Sequence, residues 1–409
     1  MALTFRNNYT WEIMHTVIVG GGFAGVRTAL ELSKKQLGKI TLISDEPYFL
    51  YHASLYATAT GRDTSASRIN LEDIFAAHHD IEVIQDRMMS IDSHRRIVIG
   101  KAKQYTYDEL VIAIGVVTTY FGITGMQAHS YGIKTLDEAK VFKRHLHDQV
   151  AEDRHMDKNY VVIGGGLTGV ELAGAMARYL REIAKAHAVT RAKVNITLVE
   201  AAPRLVPRLS ETASKIIQKR LESLGVQVKT NHKVEALDDD TIAIDGRIIP
   251  TETAVWTSGV MNHPFFSEHP DQFTLAKNGR VEVDTFLRAQ NHIYVIGDNA
   301  NTAHTGTART ALYDAYFIAD HLARKATRRT TPQYRPHKYA DNIPVGDHWA
   351  YVEKYGIYAA GRIGHYLRRR IELSALRSLL PRNQALSMWH ALYEQEEEPC
   401  DVCRQGVSK

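Results

Sequence analysis

Two short stretches decide the fold: Thr16–Gly25, TVIVGGGFAG, and Tyr160–Gly169, YVVIGGGLTG. Each is an apolar run of strand length that breaks into Gly-x-Gly-x-x-Gly, namely Gly20, Gly22 and Gly25, then Gly164, Gly166 and Gly169. A chain with this glycine content is expected to hold roughly 0.1 such matches by chance. Here there are two, 144 residues apart, each with the same surroundings. A helical pattern follows each (Ala24–Leu32, Val170–Ile183), and then a second strand pattern (Lys39–Ser44, Asn195–Glu200). This order predicts two βαβ units of the doubly wound kind. The first glycine permits the tight turn, the second lets backbone approach a pyrophosphate, and the third lets helix and strand pack closely. Phosphates then rest on helix N–H groups and on the positive end of the helix dipole. Phe23 and Ala24, and Leu167 and Thr168, stand between the glycines and belong to the same cradles.

Working outward, Leu110–Gly115 (LVIAIG) and Ala254–Gly259 (AVWTSG) read as buried strands ending in glycine, at similar offsets from the two fingerprints. They bring Ala113, Ile114 and Gly115 to the first site, and Ser258 and Gly259 to the second. A further strand, His292–Ile296, runs into Gly297-Asp298. An Asp between a buried strand and a helix (Thr307–Arg324, with Ala308 at its start) suits the ribityl or phosphate-linked hydroxyls of a flavin. The acid that ends the second strand usually holds a ribose. In the second unit it is Glu200, which would also repel a 2′-phosphate and favour NADH; Arg204, four residues on, works against that preference. In the first unit two readings stay open, the Ser44 hydroxyl or Asp45 one residue later. Glu171, two residues after Gly169, either orients a nicotinamide or is a helix acid favoured by the dipole.

The expected architecture is α/β, with two Rossmann-like dinucleotide-binding domains and a C-terminal α-helical module. Residues 14–126 and 280–325 would form the flavin domain, 127–279 the NAD(P)H domain, and 326–409 a module for membrane association or dimerisation. Two nucleotide sites in one chain imply hydride transfer from NAD(P)H to a flavin. Composition narrows the alternatives. With 409 residues, 44% apolar and 23% charged, the chain is neither disordered nor collagen-like. A net charge of +4 gives no case for a nucleic-acid partner. No apolar run reaches membrane-spanning length, and the first residues lack a signal-peptide pattern. Both cysteines, Cys400 and Cys403, fall in the acidic tail, which fits a reducing cytoplasm. A lone Cys-x-x-Cys lacks a second ligand pair for zinc, and the twenty histidines show no metal spacing, so no metal is expected.

Several stretches resemble the type II NADH:quinone oxidoreductases, the single-subunit alternative NADH dehydrogenases. They are Ile40–Arg62 (ITLISDEPYFLYHASLYATATGR), Leu110–Ala139, Ile163–Gly174 (IGGGLTGVELAG), Val199–Pro207 (VEAAPRLVP), Val255–Val260 (VWTSGV) and Ile293–Asn299 (IYVIGDN). The phrase Thr119-Tyr120-Phe121-Gly122-Ile123 is more specific than the glycines. The resemblance covers roughly residues 14–325 in matching order. It implies non-covalent FAD in the first domain, NADH in the second, a quinone on the flavin face opposite NADH, and no proton pumping. One departure concerns the acceptor: the family's quinone-side helix usually carries two glutamines, where this chain has Arg309 and Tyr313. Both can hydrogen-bond a quinone carbonyl, but Arg309 would equally favour an anionic acceptor. Disulfide reductases and sulfide:quinone reductases share the architecture and keep cysteines beside the flavin; residues 1–399 contain none.

Members of that family attach to one membrane face through C-terminal amphipathic helices. Ile371, Ala375, Leu376, Leu379 and Leu380 form one apolar face, flanked by Arg368, Arg369, Arg370 and Arg377. After Pro381, Leu386, Trp389, Leu392 and Tyr393 continue the stripe. The stripe is expected either to lie in the interface of the cytoplasmic membrane face or to pack on protein, a second copy included. Two other functions remain open: a soluble NAD(P)H-dependent flavoprotein reductase with a protein or other non-quinone acceptor, and a non-enzymatic NADH-sensing flavoprotein.

Overall fold

The structure, a computed structural model, describes residues 14–151, 159–189 and 194–393. Residues 1–13 and the acidic tail with Cys400 and Cys403 lie outside the described residues. Each fingerprint folds as its pattern predicts. Strand β1 (Met14–Val19) leads into helix α1 (Phe23–Lys35) and strand β2 (Gly38–Ser44). Strand β3 (Tyr160–Ile163) leads into helix α2 (Leu167–Ala186) and strand β4 (Ile196–Glu200).

The chain divides into two compact units. The first comprises the described residues up to Phe49, Asn70–Val116 and Asn262–His337. Its sheet has six strands in the order Arg288–Gln290, Ile293–Val295, Glu109–Ile112, β1, β2, Ile81–Gln85. All neighbours are parallel except the first pair. The central strands read as continuous Val/Ile/Leu because both sheet faces are covered. Val17, Ile18, Leu110, Val111 and Ile112 are fully buried. Helix α1 packs along helix α3 (Ala308–Ala326). Phe265, Phe266 and Phe273 close one side of the core.

The second unit comprises Leu50–Ile69 and the described residues of Val117–Met261 and from Lys338 to Tyr393. Its parallel sheet runs Val226–Thr230, β4, β3, Thr253–Trp256. An antiparallel meander (Val234–Leu237, Thr241–Ile244, Arg247–Pro250) shares its core with that sheet.

The division differs from the boundaries expected from sequence: 117–126 falls in the second unit, 262–279 and 326–337 fall in the first, and two further segments change place. Residues 50–69 join the second unit because Gly61 lies against the Tyr179 ring, and Arg178 of α2 donates to Thr60 O at 3.3 Å. The C-terminal residues also belong to it. They begin with a three-stranded antiparallel sheet (Asp341–Pro344, Ala350–Lys354, Ile357–Ala359) that the helical expectation did not include. Helices α4 (Gly361–Arg377) and α5 (Arg382–Ala391) follow. Small residues permit the contacts: a Cβ on Gly174 of α2 would lie 2.8 Å from Gly346 N, and one on Gly364 of α4 2.1 Å from Ala350 O. Arg178 Nε pairs with Asp347 at 3.1 Å, and Arg220 Nε donates to Val345 O at 3.2 Å.

The centre of the amphipathic stripe is used in this packing. Of the stripe, Leu376, Leu379 and Leu380 are buried and Ile371, Ala375, Leu386, Trp389, Leu392 and Tyr393 half-buried, because α5 turns back onto α4 after Pro381 and adds Ala385 and Met388 to the contact. Trp389 and Tyr393 do not face outward as an interfacial pair; the Arg369 guanidinium sits 4.2 Å from each ring centroid. Of the four flanking arginines only Arg370 and Arg377 are exposed, and Arg368 is 4% exposed.

Candidate functional site

The two fingerprints repeat one another bond for bond. Gly20 N donates to Ile43 O and Gly164 N to Val199 O, both at 2.8 Å. Ala113 N donates to Val19 O at 2.8 Å, and Thr257 N to Ile163 O at 2.9 Å, which lays the third strand's end over each turn. The positive φ of Gly20 (+116°) and Gly164 (+115°) puts both in the region that favours glycine. At the third glycine the constraint is space. A Cβ on Gly25 would sit 1.9 Å from Gly20 O, and one on Gly169 1.8 Å from Gly164 O. At the second glycine it is the reverse: Cβ atoms on Gly22 and Gly166 would meet nothing within 4 Å. Gly22 and Gly166 are the N-caps of α1 and α2, neither helix start has a side-chain cap, and neither carries an acid in its first turn. Each cradle therefore offers backbone N–H groups and a helix dipole toward open space, which fits a pyrophosphate. Phe23, Ala24, Leu167 and Thr168 occupy the opening helical turns.

In the first unit the register decides which residue corresponds to Glu200. Ser44 ends β2 and is 4% exposed, and its Oγ would lie 2.5 Å from a Cβ on Gly21. Glu200 ends β4 in the same relation to Gly165. Asp45 is exposed and faces Arg87 Nη2 at 3.4 Å. Ser44 is thus the counterpart of Glu200. Asp298 stands in a single helical turn, Gly297–Asn299, that is pinned on every side. Thr305 Oγ1 donates to Gly297 O at 3.0 Å, and Arg280 Nε to Asp298 O at 3.0 Å. Asn299 brackets Gly115, accepting from its N at 2.9 Å and donating to its O at 2.6 Å. The Asp298 carboxylate takes no hydrogen bond from a described residue, so a half-buried anion with a fixed backbone is left for a ligand hydroxyl. Ala308 opens α3 behind Thr307, whose Oγ1 caps Thr310 N at 3.2 Å.

In the second unit Glu200 accepts from Gly165 N and Ala202 N, both at 2.6 Å. Two bonds leave lone pairs for ribose hydroxyls, since a carboxylate has about four acceptor sites. Arg204 does not offset it. Its two Nη atoms donate to Leu209 O at 2.9 Å, to Ser214 Oγ of the following helix at 2.8 Å and to Pro207 O at 2.7 Å. Ser258 and Thr257 donate to Ile163 O, and Gly259 lies under Phe121 and Thr119 of the Thr119–Ile123 phrase.

Glu171 is not in the first turn of its helix, and the dipole does not account for it. It lies one turn further in, with 13% of its side chain exposed, facing Arg368 Nη1 at 3.5 Å. Arg368 also pairs with Glu372 at 2.7 Å and donates to Asn342 Oδ1 at 2.9 Å. Tyr393 OH donates to the other oxygen of Glu372. Burial raises the Glu171 carboxyl to about 8, with Arg368 opposing and Glu372 adding to the rise. With Glu171 protonated, one guanidinium and one carboxylate balance. By sequence Arg368 stands only among the charges flanking the apolar face and Glu372 is not singled out, although positions 368 and 372 share a helix face with Leu376.

Arg309 and Tyr313 both lie on the first turns of α3, half-buried. The Tyr313 ring lies 5.7 Å from that of Tyr334 and 6.0 Å from that of His337.

Residues 14–315 match the pyridine nucleotide-disulphide oxidoreductase family. The chain is 27% identical to the type II NADH:quinone oxidoreductase of Staphylococcus epidermidis, over 89% of this chain and 95% of that one. The Staphylococcus aureus enzyme of the same name is also 27% identical, over 88% and 94%. Among solved structures, Plasmodium falciparum NDH2 in complex with NADH matches with a TM-score of 0.82 at 16% identity, covering 93% of this chain and 97% of that one. The sulfide:quinone oxidoreductase of Aquifex aeolicus matches at 0.77 with 21% identity, covering 91% and 92%. The likeness read from the motifs is borne out. With two superposable glycine cradles, a pinned Gly-Asp turn and a family match across three quarters of its length, the chain belongs to the pyridine nucleotide-disulphide oxidoreductases, with curated relatives among the type II NADH:quinone oxidoreductases.

Proposed function

We propose that this chain is a flavin-dependent NADH:quinone oxidoreductase that pumps no protons. The observation that carries it is the pair of equivalent cradles, one completed by the free Asp298 carboxylate and the other by Glu200. FAD, non-covalently held in the first unit, would supply the centre that takes a hydride and passes electrons on. Gly20, Gly22 and Gly25 with α1 would hold its pyrophosphate, Ser44 its adenosine ribose, Asp298 its ribityl side, and Ala113–Gly115 and Ala308 its remaining edges. Gly164, Gly166 and Gly169 with α2 would hold NADH, with Glu200 on the ribose. The Arg204 guanidinium is directed to neutral acceptors at Leu209, Ser214 and Pro207, while the Glu200 carboxylate would repel a 2′-phosphate, which favours NADH over NADPH. Glu171 keeps its proton at neutral pH and so puts no negative charge beside the phosphates. Arg309 and Tyr313 would meet the acceptor.

Stopped-flow spectroscopy of the FAD-loaded protein tests the reading. NADH is expected to bleach the flavin far faster than NADPH, and a menaquinone or ubiquinone analogue to restore the colour. Bleaching by NADH with no restoration by any quinone would overturn the quinone assignment and select a soluble reductase with another acceptor. Slow turnover through a long-lived NADH complex would select the sensor.

The same proposal places the enzyme on the cytoplasmic face of the membrane, by a surface other than the buried stripe. Among the described residues no helix is long and apolar enough to cross a membrane. The hairpin leading to α4 and the outer side of α4 instead leave Tyr355 at 68%, Ile357 at 80%, Ile363 at 69% and Tyr366 at 59% exposed. Lys354, Arg362 and Arg370 stand exposed among them. Apolar and aromatic tips ringed by cations suit an anionic lipid interface. The double variant Ile357→Glu, Ile363→Glu is expected to lower binding to phosphatidylglycerol-containing vesicles by about tenfold or more while turnover of a water-soluble quinone stays unchanged. Unchanged vesicle binding with a shift from dimer to monomer would assign the patch to a second copy.

A further inference from the structure

Asp314 lies in the middle of α3 and is fully buried, yet it is charged chemistry that the cradle reading does not use. Its two oxygens serve two different segments. Oδ2 accepts from Gly297 N at 3.0 Å, the first residue of the turn that carries Asp298. Oδ1 accepts from Tyr334 OH at 2.5 Å. Tyr334 belongs to the basic stretch after α3, where its own N donates to Thr285 O at 2.7 Å. Its ring packs edge-on against Phe317 at 5.1 Å and beside Tyr313 at 5.7 Å. Gly297 has φ +66°, and a Cβ there would come within 3.4 Å of Ala24 Cβ in α1, so the turn is seated directly on the first cradle. Burial holds the Asp314 carboxyl up to about 6, against the two donors that pull it down, so a position that is costly for an anion is kept for an acceptor of two bonds.

We propose that Asp314 is a positioning residue: it fixes the turn that presents Asp298 and ties that turn, through Tyr334, to the segment packed beside Tyr313. The proposal rests on the reading of the first cradle as the FAD site. Without Asp314 the Gly297 N–H loses its buried acceptor, and the turn keeps its bonds from Thr305 and Arg280 and those of Asn299, so the Asp298 carboxylate is held less firmly. Tyr334 then also loses the bond that holds its ring against Tyr313.

The test is FAD affinity, measured by titrating deflavinated full-length protein and following the quenching of FAD fluorescence. Asp314→Val is expected to weaken FAD by about tenfold or more, and Tyr334→Phe by about threefold. Asp298→Ala alone is expected to weaken FAD as well, and in that background both further losses should vanish, because the variants act through the same carboxylate. Losses that add in full on the Asp298→Ala background would make Asp314 a general structural residue and overturn the proposal. Full FAD affinity in both single variants would overturn it too. If Asp314→Val does not fold, the Tyr334→Phe and Asp298→Ala cycle decides alone. Full FAD affinity in Asp298→Ala itself would overturn the reading of the site and the inference with it, an outcome distinct from additivity.

Discussion

Replacing Gly169 by alanine is expected to leave a yellow protein that NADH no longer bleaches. The new Cβ would fall 1.8 Å from Gly164 O and 2.7 Å from Thr257 Oγ1, and neither is the far end of a flexible chain. The start of α2 must move off the strand end by more than an ångström. Displacements of that size at a binding group cost about a hundredfold, so the NADH KM should rise by at least that factor. FAD is held in the other unit and should stay bound. The mirror variant, Gly25→Ala, puts a Cβ 1.9 Å from Gly20 O and should give colourless protein that binds NADH normally. Gly166→Ala separates packing from ligand approach. Its methyl group meets nothing within 4 Å, so folding should be unaffected while NADH affinity still falls. Normal NADH affinity in Gly166→Ala would sink the assignment of the open space to a pyrophosphate.

Arg368→Met should be the most destabilising of the conservative changes in the C-terminal segment. The guanidinium is 4% exposed and lies between Glu171 and Glu372, the second 6% exposed. Removing it leaves Glu372 buried with only Tyr393 as donor. Breaking a buried pair on one side costs about 3–5 kcal/mol, which denaturant unfolding followed by circular dichroism would read. A loss below about 1 kcal/mol at neutral pH would show that the pair is not desolvated as its burial implies. Glu171→Gln isolates the other carboxyl. The folded protein holds that proton up to about pH 8, against a free value of 4.5, so it binds the proton more tightly than the unfolded chain does. The stability gained is full below about 4.5 and is lost as pH rises through about 8. Relative to Glu171→Gln, wild type should therefore lose stability across that window, and the variant should also lose any inflection near pH 8 in the rate profile.

How much of this was legible beforehand follows from how far each feature reaches along the chain. The glycine fingerprints declared both strands, both helices and both cradles, because turn, cap and close approach are settled within six residues by sterics alone. Glu200 was legible for the same reason, since it ends the strand paired to its own fingerprint. The same logic left Ser44 and Asp45 undecided. Alternation says which residues are apolar but not where a strand stops, and only the register of β2 on β1, Ser44 beside Gly21, decides it. The C-terminal stripe shows the limit most plainly. Helical periodicity reveals that α4 and α5 have an apolar face, not what covers it, and the face is covered by the chain itself.

The sequence by itself determined two nucleotide cradles, their glycines, the acid at Glu200 and the turn at Asp298, all properties of local backbone geometry. Tertiary structure alone decided the surroundings of the charged groups. Arg368 reaches Glu171 across 197 positions, Arg204 donates to Leu209 and Ser214, and Asp314 is bound to Tyr334 twenty residues on. Desolvation and pairing depend on which side chains the fold brings within a few ångströms, and no periodicity along the chain encodes that distance.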